Sequence, residues 1–224
     1  MRKYLNSYLI AGGCCIVAFL LLIILLMTVN KQMVSGHEIG LYGLNKVFST
    51  GKYNDIWDAL SDAIFYISLG FCLGLAIYGF YQLVQRKNVL KVDKDILFTG
   101  IALILLVVLW ILFDRFFVVN CRPIMFADET EPSFPSTHVM VSTFVLFTSC
   151  KIIIRRNPTK KVNRILGISG MSLLVLFCFL GRLLSCMHWM TDCLGGFLIG
   201  FGMFNLVFGI EKIFTAKKEA IKEL

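Results

Sequence analysis

Three arginines, two histidines and one aspartate stand in three short strings in the second half of this chain: Arg115 with Arg122-Pro123, Pro135-Ser136-Thr137-His138, and Arg182 with His188 and Asp192. Such a set can hold and cleave a phosphate ester without a metal. A phosphate monoester or diphosphate carries about two negative charges, which fixed cations and N–H donors must offset as the transition state forms. The planar fork of arginine grips two oxygens at once. Histidine offers a nucleophile or a proton near neutral pH. All three strings fall at the ends of strongly apolar segments, where a hydrophobic chain has no structural need of charge.

Arg115 and Arg122 are seven apart, close to two helical turns, so both can face one ligand if their helix runs that far and ends at Pro123. The pair is equally compatible with arginines snorkelling to an interface, salt-bridged to Asp114, Asp128, Glu129 or Glu131. The second string opens an apolar helix. Its first-turn amides at Ser136, Thr137 and His138 form an anion site, the Ser136 hydroxyl adds a donor, and His138 can protonate a leaving group. Read alone, the same string is an ordinary helix cap. His188 and Asp192 are four apart and share a helix face. Asp192 can accept from one imidazole nitrogen and leave the other free to attack phosphorus, with Arg182 as a third clamp. Without the arginines, that pair reads as a capping aspartate beside an interface histidine.

The elements that must position these strings are membrane helices. Of the 224 residues, 58% are hydrophobic and 16% charged, with 20 Phe and a mean hydropathy of +0.79, too apolar for a water-soluble domain. Runs long enough to cross roughly 30 Å of hydrocarbon extend from about Tyr8 to Val29, Ala63 to Leu83, Ile96 to Phe113, Val139 to Ile154, Ile165 to Leu184 and Asp192 to Phe214. The first is read as a retained helix, because its apolar stretch exceeds a signal core and no small-x-small site follows. The fold class is therefore all-α, one domain spanning 1–224 as a bundle of six transmembrane helices.

With both termini cytoplasmic, all but six of the 22 Lys and Arg fall on the inner side, as the positive-inside bias requires. The other side keeps Lys31, Lys46, Lys52 and the three motif arginines. The expected location is thus the cell membrane, with the strings on the extracytoplasmic face. The net charge of +8 then sets topology and meets lipid headgroups rather than nucleic acid. Cys14, Cys15, Cys72, Cys150 and Cys178 lie within spans as small apolar residues. Cys121, Cys186 and Cys193 stand near the motifs, where a bridge between two of them is open. The long polar stretch from about Asn30 to Asp62, with Tyr53 and Trp57, suits an interfacial segment or a plain connector. Its Ser35-Gly36-His37 lacks a preceding proline and a nearby arginine, and carries little chemistry.

Taken together, the three strings in this order resemble the membrane type 2 phosphatidic acid phosphatase family, whose site is shared with the vanadium haloperoxidases; the motif-bearing core covers about 96–214. Three positions depart from the family pattern: Arg115 for lysine, Thr137 for glycine, and Gly181 for the serine before Arg182. The resemblance implies that His188 attacks phosphorus to form a phosphohistidine, oriented by Asp192. It implies that His138 protonates the leaving group and later activates water, and that Arg115, Arg122, Ser136, Thr137 and Arg182 hold the phosphoryl oxygens. No metal and no cofactor is implied. The expected partners are membrane lipids and a lipid phosphate or diphosphate substrate. Its small size and outward site are similar to bacterial members that recycle undecaprenyl diphosphate, with phosphatidic acid and phosphatidylglycerophosphate also open. The rival readings are a lipid-linked phosphotransferase and a non-catalytic lipid-phosphate binding or transport protein on the same frame.

Overall fold

The structure, a computed structural model, describes residues 2–34, 36–124, 131–157 and 161–222. Ser35, Asp128, Glu129 and Lys160 lie outside the described residues. Seven α-helices are described: α1 (Arg2–Thr28), α2 (Tyr42–Phe48), α3 (Asp55–Arg86), α4 (Lys94–Arg115), α5 (Thr137–Arg156), α6 (Lys161–Leu184) and α7 (Met190–Lys222). All but the short α2 are long and apolar enough to cross a membrane. The six expected spans are thus present, with shifted ends.

The largest shift of a helix start is at α3, which begins eight residues before the apolar run does. The Asn54 side chain accepts hydrogen bonds from the amides of Ile56 and Trp57, and Asp55 and Asp58 occupy the first turn, where carboxylates favour the positive helix end. At about 1.5 Å per residue, the 32 residues of α3 outrun the hydrocarbon. Its first two turns carry Asp58 and Asp62 beyond the apolar part.

The stretch from Asn30 to Asp62 is more than a connector. Strands β1 (Gln32–Val34) and β2 (His37–Ile39) pair antiparallel with Val34 opposite His37, and α2 follows directly. Asn45 of α2 is fully buried. Its side chain donates to the Gly40 carbonyl and accepts from the Thr191 amide at 3.1 Å, so this segment braces the start of α7.

Packing centres on α7 and α5, with α1 laid along α7 and α3 against both α5 and α6. Phe144, Val145 and Phe208 are among the fully buried side chains of the main core. Glycine lets α7 close on α5: a Cβ at Gly196 would lie 2.5 Å from the Ser136 carbonyl oxygen. At the far end of the bundle, Arg156 binds Asp93 and Asp95, and Arg155 holds both carboxylate oxygens of Glu211 at 2.8 Å. Those two arginines therefore tie helices together, and headgroup contact is not their only role.

Candidate active site

The second and third strings are delivered by helix ends. Phe134, stacked on Phe19 and edge-on to Phe113 with ring centroids 5.6 Å apart in both pairs, anchors the loop before Pro135. Ser136 caps α5 without a side-chain cap bond. Its amide donates to the Asp192 carbonyl at 3.0 Å, which joins the starts of α5 and α7. Of the three first-turn amides expected to face an anion, that of Ser136 is therefore already used. Those of Thr137 and His138 remain at the open helix end. The turn between α6 and α7 closes when the His188 amide donates to the Arg182 carbonyl at 3.2 Å.

A cavity of about 260 Å³ lies where these ends meet, and Arg122, Thr137, His138, Arg182 and His188 all line it. The second and third strings thus converge with Arg122 on one space. Among the described residues, the Ser136 hydroxyl is buried without a hydrogen-bond partner but does not line the cavity, whereas Arg122 Nε, Arg182 Nε and the Ser133 hydroxyl are equally unpartnered and belong to residues that do. Leaving buried donors unpaired is costly, so their concentration at one cavity marks a place built to receive acceptor oxygens.

His188 lies in the turn before α7 and Asp192 in the first turn of that helix, so the turn, and not the expected shared helix face, sets them side by side. Nδ1 of His188 lies 3.7 Å from Asp192 Oδ2, within ion-pair range and beyond hydrogen-bond reach. The fully buried Asp192 is itself fixed from two sides: Oδ2 accepts from the Trp189 amide at 3.0 Å and Oδ1 from Asn120 Nδ2 at 3.1 Å. Asn120 is buried as well, and its Oδ1 accepts from the Gly40 amide. Burial holds the His188 imidazole below its usual range, opposed by Asp192 and assisted by the positive Arg182 and Arg122. Its ring is therefore neutral, the form in which it can act as a nucleophile.

Arg182, only 2% exposed, is held by α3. Its Nη1 lies 2.6 Å from Asp58 Oδ1 and 3.2 Å from Asp62 Oδ1. The same Asp62 oxygen sits 3.0 Å from Nε2 of His138, and the Phe65 ring lies 4.3 Å from the imidazole. Asp58 and Asp62, one turn apart on α3, belong to this site, although the sequence reading ends a polar stretch at Asp62 and gives neither carboxylate a role. The departure at Gly181 has a packing cause. A Cβ there would come within 2.9 Å of the Trp57 carbonyl and 2.8 Å of Ser61 Cβ, so glycine is what lets α6 approach α3. The Ser61 hydroxyl then stands 3.5 Å from Arg182 Nη1.

The first string is built otherwise than expected. Helix α4 stops at Arg115, where the Phe116 amide closes the last turn on Leu112, so two helical turns do not link Arg115 to Arg122. Arg122 is instead carried by an extended segment pinned through the bridge between Cys121 and Pro132. It pairs with Glu131 at 2.8 Å. Arg115 is exposed and pairs with Asp114 at 3.0 Å; Asp114 lines the cavity and Arg115 does not. Cys121, Cys186 and Cys193 are separate thiols, with Cys186 Sγ 3.2 Å from the Ser49 hydroxyl.

A second, apolar groove of about 550 Å³ runs between α3, α4 and α5, lined among others by Leu103, Val107 and Met140. Trp110 and Thr137 line both this groove and the polar cavity. Charged and apolar space are thus contiguous.

The family model of the PAP2 superfamily matches residues 94–215. The chain is also similar in fold to the crystal structure of the first transmembrane PAP2 type phosphatidylglycerolphosphate phosphatase from Bacillus subtilis. That similarity covers 90% of this chain and 96% of the other, at 20% identity and a TM-score of 0.61. No curated protein matches the chain.

Proposed function

The chain belongs to the PAP2 superfamily, and on that premise we propose that it is a membrane lipid phosphatase working through a phosphohistidine on His188, without metal. The observation that carries this reading is the shared wall: Trp110 and Thr137 border both the arginine-lined cavity and the apolar groove, so a phosphate head and its hydrocarbon chain can be held by one molecule.

In the proposed reaction, His188 Nε2 attacks phosphorus while Asp192 keeps the proton on Nδ1. The bond from phosphorus to the lipid oxygen breaks, and that oxygen takes a proton from His138. Water then attacks the phosphohistidine and gives its proton to His138, releasing phosphate and restoring both rings. Arg122, Arg182, Ser136 and the amide of Thr137 hold the non-bridging oxygens. Arg115 neutralises Asp114 at the cavity edge, so its assigned share in phosphate binding is indirect.

The substrate class is a lipid monophosphate or diphosphate, with undecaprenyl diphosphate and phosphatidic-acid-like lipids first in order, and phosphatidylglycerophosphate included because the structural relative is named for it. The basic residues at the far end of the bundle support an extracytoplasmic site and cytoplasmic termini. The test is phosphate release from a panel of these lipids by purified protein in detergent. Turnover that persists in excess EDTA and stops with vanadate is expected; loss on chelation, restored by a divalent cation, refutes the metal-free route. For sidedness, a cysteine at Thr50, an exposed residue, should label with an impermeant thiol reagent in intact cells. Labelling only after permeabilisation inverts the topology.

A further inference from the structure

A third large cavity, about 600 Å³, opens between α5, α6 and α7 at the end of the bundle away from the catalytic cavity. Thr137 and Lys151 lie at opposite ends of α5, roughly 20 Å apart at about 1.5 Å per residue. The walls are apolar, with Phe147, Ile168 and Phe204, and the mouth carries Lys151, Arg155 and Arg164. Two helices repeat one order. Lys151 stands one turn beyond Phe147 on α5, and Arg164 one turn before Ile168 on α6, so in both cases the cation marks the helix end and the hydrocarbon surface lies deeper.

Among the described residues, the charges at this mouth are not all balanced by carboxylates. Arg155 is committed to Glu211. Lys151 meets the Tyr8 hydroxyl and the rings of Tyr8 and Phe208. Among the described residues, no carboxylate lies within 4.0 Å of Lys151 or Arg164. A neighbouring cavity on the other side of α5, about 470 Å³ and also apolar, provides the contrast: its one cation, Arg156, is neutralised by Asp93 and Asp95. Two cations with no carboxylate partner among the described residues, beside a hydrocarbon surface at a membrane boundary, attract one kind of molecule, an amphiphile with a net negative head.

We propose that this groove binds an anionic phospholipid of the leaflet opposite the catalytic cavity, its phosphate between Lys151 and Arg164 and one chain along Phe147, Ile168 and Phe204. The site is separate from the catalytic cavity, and its test does not depend on turnover.

The experiment measures lipid retained by the purified full-length protein, by native mass spectrometry, from equal mixtures of phosphatidylglycerol and phosphatidylcholine with matched chains. The wild type should retain phosphatidylglycerol preferentially. Arg164→Gln, at an exposed side chain with no carboxylate partner among the described residues, should cut that preference about fivefold, the weight of one basic residue at a membrane surface. Ile168→Trp should reduce retention of both lipids by filling the groove, and Lys87→Gln, the same loss of charge elsewhere, should change nothing. Inorganic phosphate should fail to displace the lipid, because it lacks the chain. Equal retention of the two lipids by the wild type, displacement by phosphate, or a preference that survives Arg164→Gln overturns the proposal.

Discussion

One carboxylate oxygen of Asp62 lies 3.0 Å from Nε2 of His138 and 3.2 Å from Nη1 of Arg182. A single acceptor from α3 thus touches both the proposed acid and the proposed clamp, which are the groups a phosphoryl oxygen must reach. An entering phosphate competes with this carboxylate for them and is repelled by it. Asp62→Asn removes the repulsion and keeps the shape. The expected result is vanadate inhibition tighter by roughly five- to tenfold, a modest effect because Asp62 is partly exposed and screened. Unchanged or weaker inhibition means that Asp62 serves the site in another way.

The depressed titration of His188 gives a pH prediction with a definite sign. Burial lowers its folded value, and Asp192 only partly opposes this, while the unfolded imidazole titrates near about 6.5. Above that pH both states are neutral and the group adds nothing to the pH dependence. As the pH falls below it, the unfolded state takes up the proton first, and stability drops until the folded value is passed. Activity follows the same group. With an activated aryl phosphate, whose leaving group needs no proton from His138, kcat/KM corrected for substrate ionisation should stay level through pH 6.5 and fall only at more acid pH. A midpoint at the ordinary histidine value contradicts a buried, neutral nucleophile.

What sequence revealed of this site was its short-range part. Thr137 and His138 reach the cavity because a helix start fixes them as neighbours, while His188 and Asp192, four apart, are brought together by the turn that leads into α7. Arg122 arrives at the same cavity by a route that spacing does not show: α4 ends at Arg115, and an extended segment pinned to Pro132 does the carrying. The partners that hold the chemistry in place come from elsewhere in the chain. Asp58 and Asp62 meet Arg182 across more than a hundred residues, and Asn120 meets Asp192 across 72. Polar residues of that kind carry no local pattern. Two carboxylates one turn apart, just ahead of an apolar run, were the available signal, and Asn54 as a cap would have placed them on α3.

Asn120 is the clearest of these missed residues, since its side chain spans Gly40, Thr191 and Asp192. Replacing it with alanine leaves a buried carboxylate oxygen short of a donor, at a cost of about 1–3 kcal/mol. The expected outcome for Asn120→Ala is a lower thermal midpoint in detergent and slower phosphoenzyme formation, with KM for the lipid little changed. Asn120→Asp should be worse, because it sets a second carboxylate against Asp192. Activity retained in Asn120→Asp shows that Asp192 needs no help from this side.

The two histidines should fail in different ways, because a nucleophile and a leaving-group acid serve different steps. His188 lies beside Asp192 with its ring held neutral, and the other groups lining the cavity include no second imidazole so oriented. His188→Ala should therefore abolish turnover and any phosphoenzyme. His138 is paired with Asp62 and faces Phe65. His138→Ala should slow turnover of an alkyl or lipid phosphate by roughly a hundredfold or more, within the usual range for general acid–base catalysis, yet spare much of the first step with an activated aryl phosphate, whose leaving group departs without a proton. The check is a comparison of both substrates with both variants, together with acid-quenched trapping of the phosphoenzyme. Turnover by His188→Ala, or an acid-labile phosphohistidine trapped on His138, reverses the roles assigned to them even where the protein still hydrolyses lipid phosphate.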